Sequence, residues 1–229
     1  MKKEILFIAL LLLCGKSFSQ TPPPYEVPDY ETIKKDIENK PSNFYYPKLM
    51  ERLSATDTLL TKDDFRHLYF GYFFQPKYSA YWTSADEKEL SKYYSADTIQ
   101  AKDYDDIIRL AKHSISQFPF DLRQMNFLAY IYHMKGDEVL SKKTNIIFQG
   151  ILNAILSSGD GLKCESGFHV LTVAHEYVLL NFFELESVSQ ALTGNCDYLA
   201  FEKDKYKVAG LYFNIQKMLE NEAKQPGGK

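Results

Sequence analysis

The stretch YDDIIRLAKHSISQFPFDLRQMNFLAYIYHMKGDEVLSKKTNIIFQGILNAILS, residues 104–157, decides the fold. Tyr104, Ile107, Ile108, Ala111, Ile115 and Phe118 recur at intervals of three and four, which makes one apolar stripe along a helix. Asp105, Arg109, Lys112, His113 and Ser116 fall on its other faces. Asp103, Asp105 and Asp106 crowd the first turn, where the helix dipole favours negative charge, and Pro119 stops the helix because it cannot extend the hydrogen-bond ladder. The next segment, Leu122 to Met134, is apolar nearly all round, so it must be covered on several sides. Gly136-Asp137 turns the chain, and Val139, Leu140, Ile147, Ile151 and Ile155 give a third helix its buried side. Helices joined by such short turns pair antiparallel, which predicts a mainly α protein.

Leu128-Ala129-x-x-Tyr132 followed by Gly136-Asp137 resembles the tetratricopeptide repeat. In the same frame of about 34 residues, Tyr104 and Pro119 fall on the turn Tyr and closing Pro of a preceding unit. Met125 stands where that family prefers Trp and Ser141 where it prefers Ala, so the pattern is degenerate. The resemblance implies stacked helix pairs with a rigid concave groove.

The chain opens differently. Lys2 and Lys3 precede an apolar run, Ile5 to Cys14, and then Ser17-Phe18-Ser19. A basic start, an apolar run too short to span a bilayer and small residues at the end predict a secretory signal over 1–19, cut after Ser19. The competing reading is a lipid anchor on Cys14, against which the bulky Leu13 argues. Residues 20–28 form a proline-rich leader, expected to be extended and to tether the domain rather than pack into it. A helical domain is expected over 29–158, with Asp29 capping a first helix and Thr61-x-x-Asp64 opening another as a capping box.

After Ser157-Ser158-Gly159-Asp160-Gly161 helical spacing gives way to alternation. Phe168 to Val173, Val188 to Thr193, Tyr198 to Glu202 and Tyr206 to Ile215 predict antiparallel strands, the last two as a hairpin, with a helix over His175 to Leu185. The expectation for 159–224 is a small antiparallel α+β cap, and for 225–229 a frayed tail.

Candidate sites follow from what this frame leaves over. Tyr78, Tyr81 and Trp82 lie in a loop after Pro76, where aromatics are hard to explain by packing, and are the candidate partner-binding residues. Only Cys164 and Cys196 remain after signal removal, an even number suited to an oxidising compartment, so a disulfide between them competes with two separate buried thiols. His169, His175 and Glu176 offer zinc-type donors, but one extended strand would hold the histidines about 20 Å apart, and His-Glu-Tyr-Val-Leu is not His-Glu-x-x-His. No phosphate loop, dinucleotide fingerprint or Gly-x-Ser-x-Gly elbow occurs, and no cofactor is expected. Loss of three lysines and one glutamate with residues 1–19 takes the net charge from −3 to −5, which gives no footprint for nucleic acid or anionic lipid.

Gly-Asp-Gly at 159–161, Gly-Phe-His-Val at 167–170, Ala-His-Glu-Tyr at 174–177, Cys-Asp-Tyr-Leu at 196–199, Gly-Leu-Tyr-Phe at 210–213 and Phe-Arg-His-Leu-Tyr-Phe-Gly-Tyr at 65–72 resemble the family catalogued as domain of unknown function 4919. Its members are mainly exported proteins of Bacteroidetes, so the resemblance implies a compartment and a fold but no reaction. The sequence reading is an exported, non-catalytic binding or scaffold module of the periplasm or outer membrane, without a transmembrane segment, meeting a protein or glycan partner. The alternative is an envelope metal-dependent hydrolase built around His169, His175 and Glu176.

Overall fold

A computed structural model describes residues 25–94, 96 and 98–224. The expected signal segment with Cys14, residues 20–24 of the leader and the tail 225–229 lie outside the described residues.

The first half is helical. It runs α1 (Tyr30–Glu38), α2 (Tyr46–Ser54), α3 (Lys62–Gly71), a 3₁₀ turn at Tyr72–Phe74, α4 (Glu87–Tyr94), a second 3₁₀ turn at Ala101–Asp103, α5 (Tyr104–Gln117), α6 (Leu122–Met134) and α7 (Glu138–Leu156). The starts of α1, α3, α6 and α7 are set by side chains that accept otherwise orphaned backbone N–H groups. Asp29 accepts from Thr32, Asp121 from Gln124 and Asp137 from Leu140. Thr61 and Asp64 form the expected capping box in both directions, at 3.2 and 2.9 Å. Gly136 ends α6 in the left-handed region at φ +84°, which costs a glycine nothing.

α5, α6 and α7 pack consecutively as antiparallel neighbours. The buried side of α5 is Tyr104, Ile107, Leu110, Ala111 and Ser114, rotated from the expected stripe so that Ile115 is only half-buried. Ser114 goes inside because its hydroxyl donates to Asp121 at 2.6 Å, which ties the end of α5 to the start of α6. α3 is the central helix: Leu68, Tyr69 and Phe70 have no exposed surface. It lies against α7 at Gly150, where the ring of Phe65 comes within 2.2 Å of the place a Cβ would occupy. Only a residue without a side chain allows that approach.

The second half comprises β1 (Phe168–His169), α8 (Val173–Phe182), β2 (Ser187–Thr193), β3 (Cys196–Phe201), β4 (Gly210–Asn214) and α9 (Gln216–Glu222). Strand order is β1-β4-β3-β2. β2 and β3 form a tight hairpin about Gly194-Asn195, with Gly194 at φ +62°, and β3 and β4 are antiparallel across residues 202–209. β1 pairs parallel to β4, so the sheet is mixed rather than wholly antiparallel as expected. The strand expected over 168–173 is cut to two paired residues. Val170, Leu171 and Thr172 are all buried, so nothing holds an in-out alternation there, and the chain turns into α8 at Val173.

One apolar core runs from Ile33 to Met218 through both halves. The change at 158–159 is therefore a change of secondary structure within one packed body. The end of the leader belongs to that body too: Pro28 is buried, the Glu26 N–H donates to the Ser157 carbonyl at 2.8 Å, and buried Arg66 donates to the Glu26 carbonyl at 3.0 Å. Instead of tethering freely, residues 26–28 are docked.

Candidate functional site

A groove of about 860 Å³ opens in the helical half, a size usual for ligand clefts. Its walls are α2 (Tyr46, Met50, Leu53), the end of α5 (Lys112, Ile115, Ser116), one face of α6 (Met125, Leu128, Tyr132) and the start of α7 (Leu140, Thr144, Ile147). The loop after the 3₁₀ turn at Tyr72–Phe74 closes one side with Gln75, Pro76 and Lys77. Part of the apolarity of α6 now has a reason. One face is core and Met125, Leu128 and Tyr132 floor the groove, whereas Tyr130 and Met134 face solvent.

Charge in this groove is one-sided. Lys77 and Lys112 line it, no Asp or Glu does, and neither lysine has an ion-pair partner among the described residues. Ser54, Thr56, Gln75, Ser116, Gln117 and Thr144 intersperse hydroxyls and amides among the apolar side chains. The surface can therefore desolvate apolar groups, hydrogen-bond a polar backbone and attract a negative charge at its rim.

The three loop aromatics separate. Tyr78 is buried, with its ring against Phe73 and its hydroxyl donating to the Leu171 carbonyl at 2.9 Å. Trp82 is half-buried, 4.8 Å from the ring of Phe118. Tyr81 is 67% exposed and donates to Glu222 at 3.1 Å. None of them lines the groove; their neighbour Lys77 does.

The sharp break before Val173 separates the histidines onto different elements, and each is used locally. His169 sits on β1 within 3.1 Å of the Tyr30 hydroxyl. His175, on α8, is spanned by two partners: the Tyr69 hydroxyl at 2.6 Å on Nδ1 and the Phe120 carbonyl at 2.9 Å on Nε2. A carbonyl only accepts, so Nε2 carries the proton and Nδ1 accepts from Tyr69, whose oxygen in turn accepts the Leu171 N–H at 3.0 Å. Burial lowers both histidines to about 4, so both are neutral at pH 7.

Glu176 is fully buried and meets no hydroxyl, amide or cation. Its neighbour is the carboxyl of Asp197, a residue the sequence reading passed over. Burial first, and then the neighbouring carboxyl of Asp197, push Glu176 up to about 9, while neither of its oxygens has a hydrogen-bond partner. It is thus protonated at neutral pH. Asp197 also accepts from Gln190 at 2.9 Å, and Gln190 accepts from Tyr177 at 3.0 Å. Among the described residues no three His, Cys, Asp or Glu side chains are placed to share an ion.

Of the two readings left open for the cysteines, the bridged one holds: Cys164 and Cys196 form a disulfide with Cα atoms 5.7 Å apart, tying the segment before β1 to the start of β3. No helix among the described residues is long and apolar enough to cross a membrane.

Fold and groove together define a mainly helical protein with a small docked mixed sheet and one open, cation-rimmed apolar surface. The chain belongs to the family described as Domain of unknown function (DUF4919), which matches residues 31–224. No curated protein and no solved structure matches it.

Proposed function

We propose that the protein is a non-catalytic binding module of the cell envelope, exported by residues 1–19, that holds an extended peptide segment of a partner protein in the groove between α2 and the α5–α7 layer. The observation that carries this is the pairing of an apolar floor with a rim bearing Lys77 and Lys112 and no carboxylate, in a chain whose net charge is −3. An apolar segment flanked by Asp or Glu complements it. The hydroxyls and amides along the walls suit a peptide backbone better than a bare hydrocarbon chain. Stacked, tetratricopeptide-like helix pairs would supply the rigidity. The Cys164–Cys196 disulfide supports an oxidising compartment.

The test is fluorescence anisotropy of labelled apolar decapeptides with acidic, neutral or basic flanks against the full chain. Acidic flanks should bind most tightly, and Lys77→Glu or Lys112→Glu should each weaken them about threefold to tenfold, as for a rim ion pair worth ~1 kcal/mol. Equal binding of all three peptide classes, or charge reversal without effect, would overturn the reading.

A further inference from the structure

We infer that β2 is a contact between two copies of this chain, paired edge to edge and antiparallel about a two-fold axis at Ala191. β2 is the outermost strand of the sheet and is exposed along nearly its whole length, whereas β1 at the opposite edge is two residues long and buried. Main-chain direction decides which groups of β2 are free. The Asn195 carbonyl accepts from Ile215, and the Phe201 N–H donates to Ala209, both on the β4 side. Odd-numbered residues of β3 therefore turn their backbone toward β4, and Cys196, Tyr198 and Ala200 turn theirs toward β2. Their partners Thr193, Ala191 and Ser189 point inward, which leaves the N–H and C=O groups of Gln190 and Leu192 directed off the edge.

An open edge is ordinarily guarded by lysine, proline or an inward charge. Here 25% of the chain is charged, yet no charged residue and no proline stands between Ser187 and Cys196. The one irregularity, a bulge between Ser187 and Ser189, confines regular pairing to Ser189–Thr193.

Charge also selects the occupant. Two copies repel through their like net charge, so a contact between them must be neutral, as this segment is. It is its own complement as well. With Ala191 on the axis, Gln190 of each copy exchanges both backbone bonds with Leu192 of the other, and Ser189 faces Thr193. The two Ala191 residues then meet as a non-hydrogen-bonded pair with Cα atoms about 4.5 Å apart, an approach that a methyl side chain tolerates. Leu192 and Val188, 64% and 66% exposed, gain cover beside Tyr177. The contact is isologous and closes at two copies.

Sedimentation velocity of the full chain from micromolar to millimolar concentration tests this. A concentration-dependent dimer is expected, and Leu192→Lys, with an unchanged circular dichroism spectrum, should raise the dimer midpoint by about tenfold or more, since charge on an open edge opposes pairing. Under mild oxidation Ala191→Cys should give a covalent dimer, while Ser189→Cys, which faces Thr193, should not. A chain that stays monomeric throughout, including one whose β2 instead takes up another protein's strand, overturns the inference. So does a dimer that ignores Leu192→Lys and does not cross-link at 191.

Discussion

Tyr69 and His175, 106 residues apart in the chain, share a hydrogen bond of 2.6 Å with no solvent at either end. The phenol oxygen also accepts the Leu171 N–H, and the far nitrogen of the imidazole donates to Phe120. Four segments of chain thus meet on two side chains, and removing one of these leaves the others without partners.

Tyr69→Phe strips both bonds while keeping the ring. It orphans the Leu171 N–H and His175 Nδ1 in a site without water access, at about 1–3 kcal/mol for each buried group left unpaired. Urea unfolding should show a loss of about 2–6 kcal/mol. A loss below 1 kcal/mol would mean the network contributes little.

Stability should peak near pH 6.5. His169 and His175, held at about 4 in the folded chain, bind protons first in the unfolded chain, so stability falls as pH drops from about 6.5 to 4. Glu176 works in the opposite direction. Folded, it keeps its proton to about 9 while the unfolded chain gives it up near 4.5, so stability falls as pH rises through that window, by about 1.4 kcal/mol per unit. Between 4.5 and 6.5 the two histidines outweigh the one acid. Glu176→Gln should flatten the alkaline side of the profile and steepen the rise between pH 4.5 and 6.5, where the acid no longer opposes the histidines. Thermal melts from pH 4 to 9 would show it, and an unchanged alkaline slope would remove Glu176 as the cause.

Gly150→Ala should destabilise the protein although alanine is the better helix former by about 1 kcal/mol. The added methyl meets the Phe65 ring well inside contact distance, and overpacking of that kind costs about 1–3 kcal/mol. Combining it with Phe65→Leu should cost less than the two single changes together. Strict additivity in chemical denaturation would dissociate the two positions.

Reduction of the disulfide should cost about 3–4 kcal/mol, because the bridge closes a loop with a sequence separation of 32. The comparison is urea unfolding with and without reductant, with the Cys164→Ser/Cys196→Ser double variant as control. If reductant destabilises that double variant equally, the bridge is not the origin of the effect.

Sequence was most informative where one residue has one job. Asp29, Thr61 with Asp64, and Gly136 each mark a helix end by a mechanism that acts over three or four residues, and each stands where expected. The order of helices followed by a small sheet was legible for the same reason. Partners distant in sequence were not. Glu176 drew notice as a metal donor, whereas its neighbour is Asp197 across the fold, and no local pattern links positions 176 and 197. The parallel seating of β1 depends on Val170, Leu171 and Thr172 all being buried, a property of the core and not of alternation. Leu128, Tyr132 and Ile147 read as packing residues from spacing alone, and they also line the groove. Lys77 is a single exposed lysine in a loop of aromatics, and nothing local marks it.

Because one interior extends from Ile33 to Met218, neither the helical half nor the sheet half owns a complete set of partners for its apolar side chains. Halves divided at 158–159 should be insoluble or molten when made alone, and should reconstitute a native particle when mixed. The chain should accordingly melt in a single transition, with no separate event for the sheet.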